Sequence, residues 1–197
     1  MDKEDDLQQQ QDVLPQLGKQ RVDAILHQWV DDSQVLPRCN AEQKAAIMLC
    51  TLSLASSLCN DDKDVANFSA VIQGSGGTGK TQSVIMAVKE FLQRVCDETE
   101  DDIWNQWLLI APTNLVALAV GGSTIDSGLL NRRAGGSSEP RCSALVKLVM
   151  VDEFSMVSLQ WVSQISEALQ TVKRNNNKEP FGGVSVVGLE MCTSCSP

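Results

Sequence analysis

Tyrosine is absent from this 197-residue chain, histidine occurs once, and aromatic residues make up only 4%. The core must therefore be mostly aliphatic. The single histidine, His27, sits on a helix-like stretch far upstream, which argues against Ser-His or Cys-His nucleophilic chemistry. No run of eighteen apolar residues occurs, so no membrane span is expected. The N-terminus resembles neither a secretory signal nor an Arg-rich transit peptide. Basic residues are scarce as well: 16 Lys and Arg stand against 25 Asp and Glu, for a formal net charge of -9. Nucleic-acid binders usually carry a basic patch, so this balance counts against strong stand-alone affinity for a polyanion.

What is present describes an ordinary globular chain, 43% hydrophobic and 21% charged. Its length suits one domain that buries roughly 70% of its unfolded surface. Cysteines at 39, 50, 59, 96, 142, 192 and 195 are scattered and read as reduced thiols of an intracellular protein. Cys192 and Cys195 form one CxxC, but zinc needs further ligands at suitable spacing, and no metal site is expected there. From Met1 to Asp12, five acids and one Lys flank a Gln run, so residues 1–15 read as a solvated tail.

Hydrophobic spacing predicts a helix through Val22, Ile25, Leu26, Trp29 and Val30. A second helix follows the capping-box signature Asn40-Ala-Glu-Gln43 and runs toward Leu58, with Asn60-Asp-Asp-Lys63 as a turn. Ala70 to Ile72 reads as a buried strand, and Val84, Ile85, Val88, Phe91 and Leu92 mark the next helix. Acids from Asp97 to Asp102 are expected to form a loop. Further strands are predicted at Trp107 to Ala111, Leu145 to Val151 and Val184 to Val187. Thr113-Asn114 caps a helix closed by Gly121-Gly122, and Arg132 to Arg141 reads as a loop. Met156, Leu159, Val162, Ile165 and Leu169 mark another helix, and Asn175 to Pro180 reads as a loop. Strands alternating with helices imply an α/β fold, a parallel sheet with helices on both faces.

Gly74-Ser75-Gly76-Gly77-Thr78-Gly79-Lys80-Thr81 satisfies the P-loop pattern G-x-x-x-x-G-K-[ST]. The glycines let successive N–H groups point at phosphate oxygens, and the following helix aims its positive end at the same anion. Lys80 can reach the β- and γ-phosphates of ATP, while the Thr81 hydroxyl ligates magnesium. A chance Gly-rich turn is the alternative; a preceding strand and a following helix argue against it. Asp152-Glu153 closes the apolar run Leu148 to Val151, as a Walker B pair would. Asp152 would hold magnesium and Glu153 would polarise the attacking water, the bland alternative being a surface acid pair. Small-molecule P-loop kinases need no such second acid. That acid, with an extra strand between the P-loop strand and the Asp152 strand, favours the ATPase branch of RecA-like motors.

Five blocks then fall in one order: Asn40-Ala-Glu-Gln43; Gly74 to Thr81; Ala111-Pro-Thr-Asn114 with Gly121-Gly-Ser-Thr-Ile125; Val151-Asp-Glu-Phe-Ser-Met156; and Pro180-Phe-Gly-Gly183. Together they resemble the Pif-type DNA helicases of superfamily one, including Helitron helicase regions, and more distantly RecD. The resemblance covers roughly residues 38 to 188. It implies a RecA-like first lobe at 16–188 with a helical extension at 16–60, followed by a non-family tail at 189–197. It makes Gln43 a reader of the adenine edge, although Gln43 also fits a plain capping role. It makes Thr113, Ser123, Thr124 and Ser127 contacts to single-stranded DNA, although the same hydroxyls also suit helix caps.

By resemblance the activity is ATP-dependent 5′ to 3′ DNA unwinding in repair, recombination and telomere maintenance, in the nucleus or mitochondrion. Two departures bear on this. Asp126 stands where relatives carry His and would repel a phosphate. After Val187 the chain runs Gly188-Leu-Glu-Met-Cys-Thr-Ser-Cys-Ser-Pro197 in place of the family's Gly-Asp-x-x-Gln, as after a frameshift, an altered splice or gene decay. The expectation is a lobe that binds MgATP, hydrolyses it slowly, holds single-stranded DNA weakly and unwinds little alone. The rival is a non-catalytic ATP-binding regulatory or decoy fragment, paired with a full-length helicase or with itself.

Overall fold

The computed structural model describes residues 18–59, 68–75, 80–99, 106–132, 138–140, 142, 144–173 and 179–192. The 1–15 tail, the Asn60–Lys63 turn and Cys195 lie outside them, as does most of the 175–180 loop. No helix among the described residues is long and apolar enough to cross a membrane.

Helix α1 (Lys19–Asp32) buries Val22, Ile25, Leu26 and Trp29 of the predicted stripe, while Val30, next to Trp29, turns outward and is 42% exposed. After a 3₁₀ turn at Leu36–Arg38, α2 (Ala41–Leu58) starts at a complete capping box. Asn40 Oδ1 accepts from the Gln43 N–H, and Gln43 Oε1 accepts from the Asn40 N–H, each at 2.8 Å. Strand β1 (Ser69–Ser75) leads to α3 (Lys80–Thr99). Then come β2 (Trp107–Ala111), α4 (Asn114–Val120), β3 (Ser123–Thr124) and α5 (Ile125–Gly128). A ribbon of β4 (Leu130–Arg132) and β5 (Ser138–Pro140) precedes β6 (Leu148–Val151). A 3₁₀ turn at Phe154–Met156, α6 (Leu159–Val172), a turn at Pro180–Gly183 and β7 (Ser185–Cys192) complete the order.

The main sheet has the order β1-β7-β6-β2-β3, and every pair in it is parallel. Side chains alternate between faces along a strand, and this sheet uses both. Leu109, Leu148, Met150, Val187 and Leu189 join Trp29, Ile47 and Phe91 of α1–α3 in one core. Ile110, Val149, Val151 and Val186 join Ile165, Ala168 and Leu169 of α6 in the other. Helices thus cover both faces, as expected for a RecA-like lobe with a helical extension. The strand set in space between β1 and β6 is β7, while Trp107–Ala111 lies on the far side of β6.

Some boundaries differ from the sequence expectation. Asp97 belongs to the last turns of α3, because the amphipathic stripe through Val95 and Cys96 is still being buried. Met156 lies in the 3₁₀ turn and is 58% exposed, since Ser158 starts α6 by accepting from the Trp161 N–H. Part of the expected 132–141 loop pairs as the antiparallel ribbon. Strand β7 runs past residue 188 to Cys192, because β1 is long enough to pair Ile72 with Leu189 and Ser75 with Cys192.

Besides the apolar core, the Arg94–Asp32 ion pair at 3.3 Å and the Glu90 carboxylate fasten the extension to α3. Glu90 of α3 accepts from Trp29 Nε1 at 3.2 Å, Ser33 Oγ at 2.6 Å and the Gln34 N–H at 3.0 Å. Trp29 also meets Phe91 edge to face, with centroids 5.6 Å apart. Glu90→Ala leaves three donors without this acceptor and is expected to cost about 2 kcal/mol in urea unfolding. A loss below about 0.5 kcal/mol, the size of an ordinary surface change, would show that water replaces the carboxylate.

Candidate functional site at the carboxyl edge of the sheet

In a parallel sheet all strands point one way, so the segments leaving their carboxyl ends share one edge, where ligands of open α/β folds bind. Gly74 and Ser75 end β1. Gly76, Gly77, Thr78 and Gly79 lie outside the described residues. Lys80 and Thr81 begin the 20-residue α3, so a strand and a long helix flank the Gly-rich segment on its two sides.

Asp152 follows β6 directly and is only 6% exposed. Its N–H donates to Ile110 O at 2.9 Å, which ties the end of β6 to β2. Glu153 adopts the left-handed conformation, φ 50 and ψ 48, and its carbonyl accepts from the Met156 N–H at 2.9 Å. For a residue with a Cβ this backbone costs about 1–3 kcal/mol, held here by the 3₁₀ turn after it. Two acids adjacent in sequence thus differ in setting, one buried at the strand end and the other half-exposed on a strained turn. Asp152, a buried carboxylate at a strand end, offers the oxygen donor that a hard divalent cation takes.

The residues expected to touch DNA lie on the β2–β3 side of the same edge. Thr113 Oγ1 accepts from the Val116 N–H at 3.4 Å and caps α4. Thr124 and Ser127 form a reciprocal capping box at the start of α5, each N–H donating to the other's hydroxyl at 3.1 Å. Ser123 is half-buried in β3, and Asp126 is exposed beside it. The Thr113, Thr124 and Ser127 hydroxyls therefore act as caps in this structure. Gln43 stands apart at the start of α2, buried, with its carbonyl oxygen used by the capping box.

Two supporting residues had no role assigned from the sequence. A Cβ at Gly188 would lie 2.6 Å from Phe154 Cγ, so β7 and the turn after Glu153 pack without room for a methyl group. Phe154 also lines a cavity of about 170 Å³ with Val71, Val151, Val162, Ile165 and Phe181. The Pro180–Gly183 block serves packing. Phe181 and Gly182 have positive φ, the Phe181 N–H donates to Ser166 Oγ, and a Cβ at Gly182 would lie 2.7 Å from Leu169 O.

No family model matches the chain. Over 130 residues it is 31% identical to the ATP-dependent DNA helicase PIF6 of Trypanosoma brucei brucei, a match covering 60% of this chain. Among solved structures it is similar to the Pif1 helicase from Candida albicans, with TM-score 0.53, 20% identity and 77% of this chain covered. It is also similar to a double mutant of the Pif1 helicase from Bacteroides, with TM-score 0.50, 23% identity and 81% covered.

The resemblance to Pif-type helicases holds in sequence and in fold.

The chain spans 15% of the length of the curated relative. Of the two solved Pif1 chains it spans 32% and 33%. Within the shared Pif-type fold, Gly188 and Phe154 couple the central strands to the Glu153 turn. Gly188→Ala is expected to destabilise the chain by about 1–3 kcal/mol through overpacking. Adding Phe154→Leu should recover part of that loss, and a double-mutant cycle in urea checks it. Strictly additive costs would mean that the two residues do not share the strain.

Proposed function

We propose that this chain is an ATP- and magnesium-binding lobe of the Pif-type DNA helicases. The observation that carries the reading is the common carboxyl edge: the strand and helix flanking the Gly-rich segment, and Asp152-Glu153 after β6, leave the sheet on the same side. Gly74 to Gly79 would wrap the phosphates with backbone N–H groups, and Lys80 would neutralise the β- and γ-phosphates. Thr81 and Asp152 would hold magnesium, which when bound draws negative charge from the terminal phosphate. Glu153, presented on its left-handed turn, would orient the attacking water. Gln43 would face the adenine, within the limits its capping bond sets.

Single-stranded DNA would lie across the β2–β3 side, over Thr113, Ser123, Thr124 and Ser127. Exposed backbone and the far lone pairs of the capping hydroxyls remain for such contacts. Asp126 and the net charge of -9 would keep that binding weak and salt-sensitive. The lobe is taken as 16–188, with 1–15 and 189–197 as tails. Unwinding in repair, recombination or telomere maintenance is proposed for the whole Pif-type protein, to which this lobe would contribute nucleotide turnover.

Lys80→Ala is expected to weaken MgATP binding by about tenfold or more, roughly 1.4 kcal/mol, in calorimetry. Unchanged affinity would remove the nucleotide site. Glu153→Gln should leave affinity nearly intact while abolishing hydrolysis, whereas Asp152→Asn should weaken the magnesium dependence of binding. Identical behaviour of the two variants would overturn the division of roles. Adding single-stranded DNA to the turnover assay separates a motor lobe, which it stimulates, from a nucleotide-binding module, which it leaves unchanged.

A further inference from the structure

Side chains of one strand alternate between faces, so register assigns each residue of β1 to one side of the sheet. Ser69 pairs with Val186 and Val71 with Gly188, which turns Ser69 and Val71 toward the α6 face. No β1 residue joins the buried core on that face. Helix α6 lays Ile165 and Leu169 over β6 and β7 and leaves the margin over β1 open. The result is a cavity of about 170 Å³. Val71 and Val186 line it from the sheet, Val162 and Ile165 from α6, and Phe154 and Phe181 from two turns. It opens beside β1, where Val71 is 46% exposed.

Apolar walls close onto a void unless other contacts hold them apart, and here they are held. Phe154 is set against Gly188, where an added Cβ would lie 2.6 Å from its ring. The Phe181 N–H donates to Ser166 Oγ at 3.0 Å, and a Cβ at Gly182 would meet Leu169 O at 2.7 Å. The Pro180–Gly183 turn is thus already seated on α6 and has no room to sink further. Strand β1 keeps its place through seven residues in register with β7. Among the described residues the lining carries no charged side chain, and Ser69 alone adds a polar one. An apolar void stays dry, and its walls lack contact partners on one side. We propose that this cavity is a binding site for a neutral small molecule built on a single apolar ring. An engineered apolar cavity of about 150 Å³ takes up benzene, so the volume here suits one ring. A charged guest would lose its hydration with no counter-charge to meet it. A hydroxyl on the ring is accommodated at Ser69, on the exposed side of the cavity. Phe154 is a wall of the cavity and also the residue after Glu153, so the guest would sit against the turn bearing that acid.

The test is methyl-resolved NMR of the 197-residue chain titrated with benzene, with phenol and, as the charged comparison, with benzoate. Benzene and phenol are expected to shift the Val71, Val162 and Ile165 methyls saturably, with a Kd of about 1 mM or tighter. Methyls of Val22 and Ile47, in the other core, should stay in place. Benzoate should shift none of them. Val71→Phe puts a ring into the cavity from its exposed side. It should weaken benzene binding by about tenfold or more, with the far-ultraviolet circular dichroism unchanged. Shifts that never saturate, or that Ile47 shares, would overturn the site, as would benzoate binding as tightly as benzene. So would undiminished benzene binding in a folded Val71→Phe chain. Equivalent shifts on raising the protein concentration alone would mean that a second copy occupies the cavity, and would overturn the small-molecule assignment. The contrast of benzene with benzoate on the unaltered chain decides even where Val71→Phe does not fold.

Discussion

Strand β6 is buried on both faces, with Leu148, Val149, Met150 and Val151 all inaccessible to solvent. Its parallel pairing with β2 on one side and β7 on the other is the constraint from which the rest follows. A one-residue slip would exchange Leu148 and Met150 with Val149 and Val151 between two cores of different shape. The register that avoids this also sets Asp152 at the carboxyl edge and Lys147 at the amino edge. The proposed catalytic pair thus stands at the end of the strand whose register is most tightly fixed.

The edges of the sheet contrast with its centre. Among the described residues β1 pairs only with β7, and Val71 is 46% exposed beside the cavity under α6. Its stability comes from length, seven residues in continuous register with β7. That register sets Gly188 against Phe154, the residue after Glu153.

Many of the polar residues that suggested contacts do double duty. Gln43, Thr113, Thr124 and Ser127 all cap helices, satisfying N–H groups that would otherwise lack partners. This fixes their orientation and reserves one lone pair of each, so any ligand must approach the remaining side. Glu90 plays the corresponding part for the helical extension, and its three donors come from a segment far upstream in the chain.

Periodicity, capping chemistry and the Gly74–Thr81 pattern made the helices, four of the strands, the α/β class and the Pif-type resemblance legible, because each depends on residues close in sequence. Trp107–Ala111 and the Asn40–Gln43 box were read as they stand, since a buried run and a cap are local facts. The rest needed distant partners. The length of β7 is set by β1, the ribbon by the pairing of β4 with β5, and the left-handed backbone at Glu153 is held by the 3₁₀ turn that follows it. Local sequence determines which element forms and how it begins. Where it stops was decided only when the sheet closed its two cores.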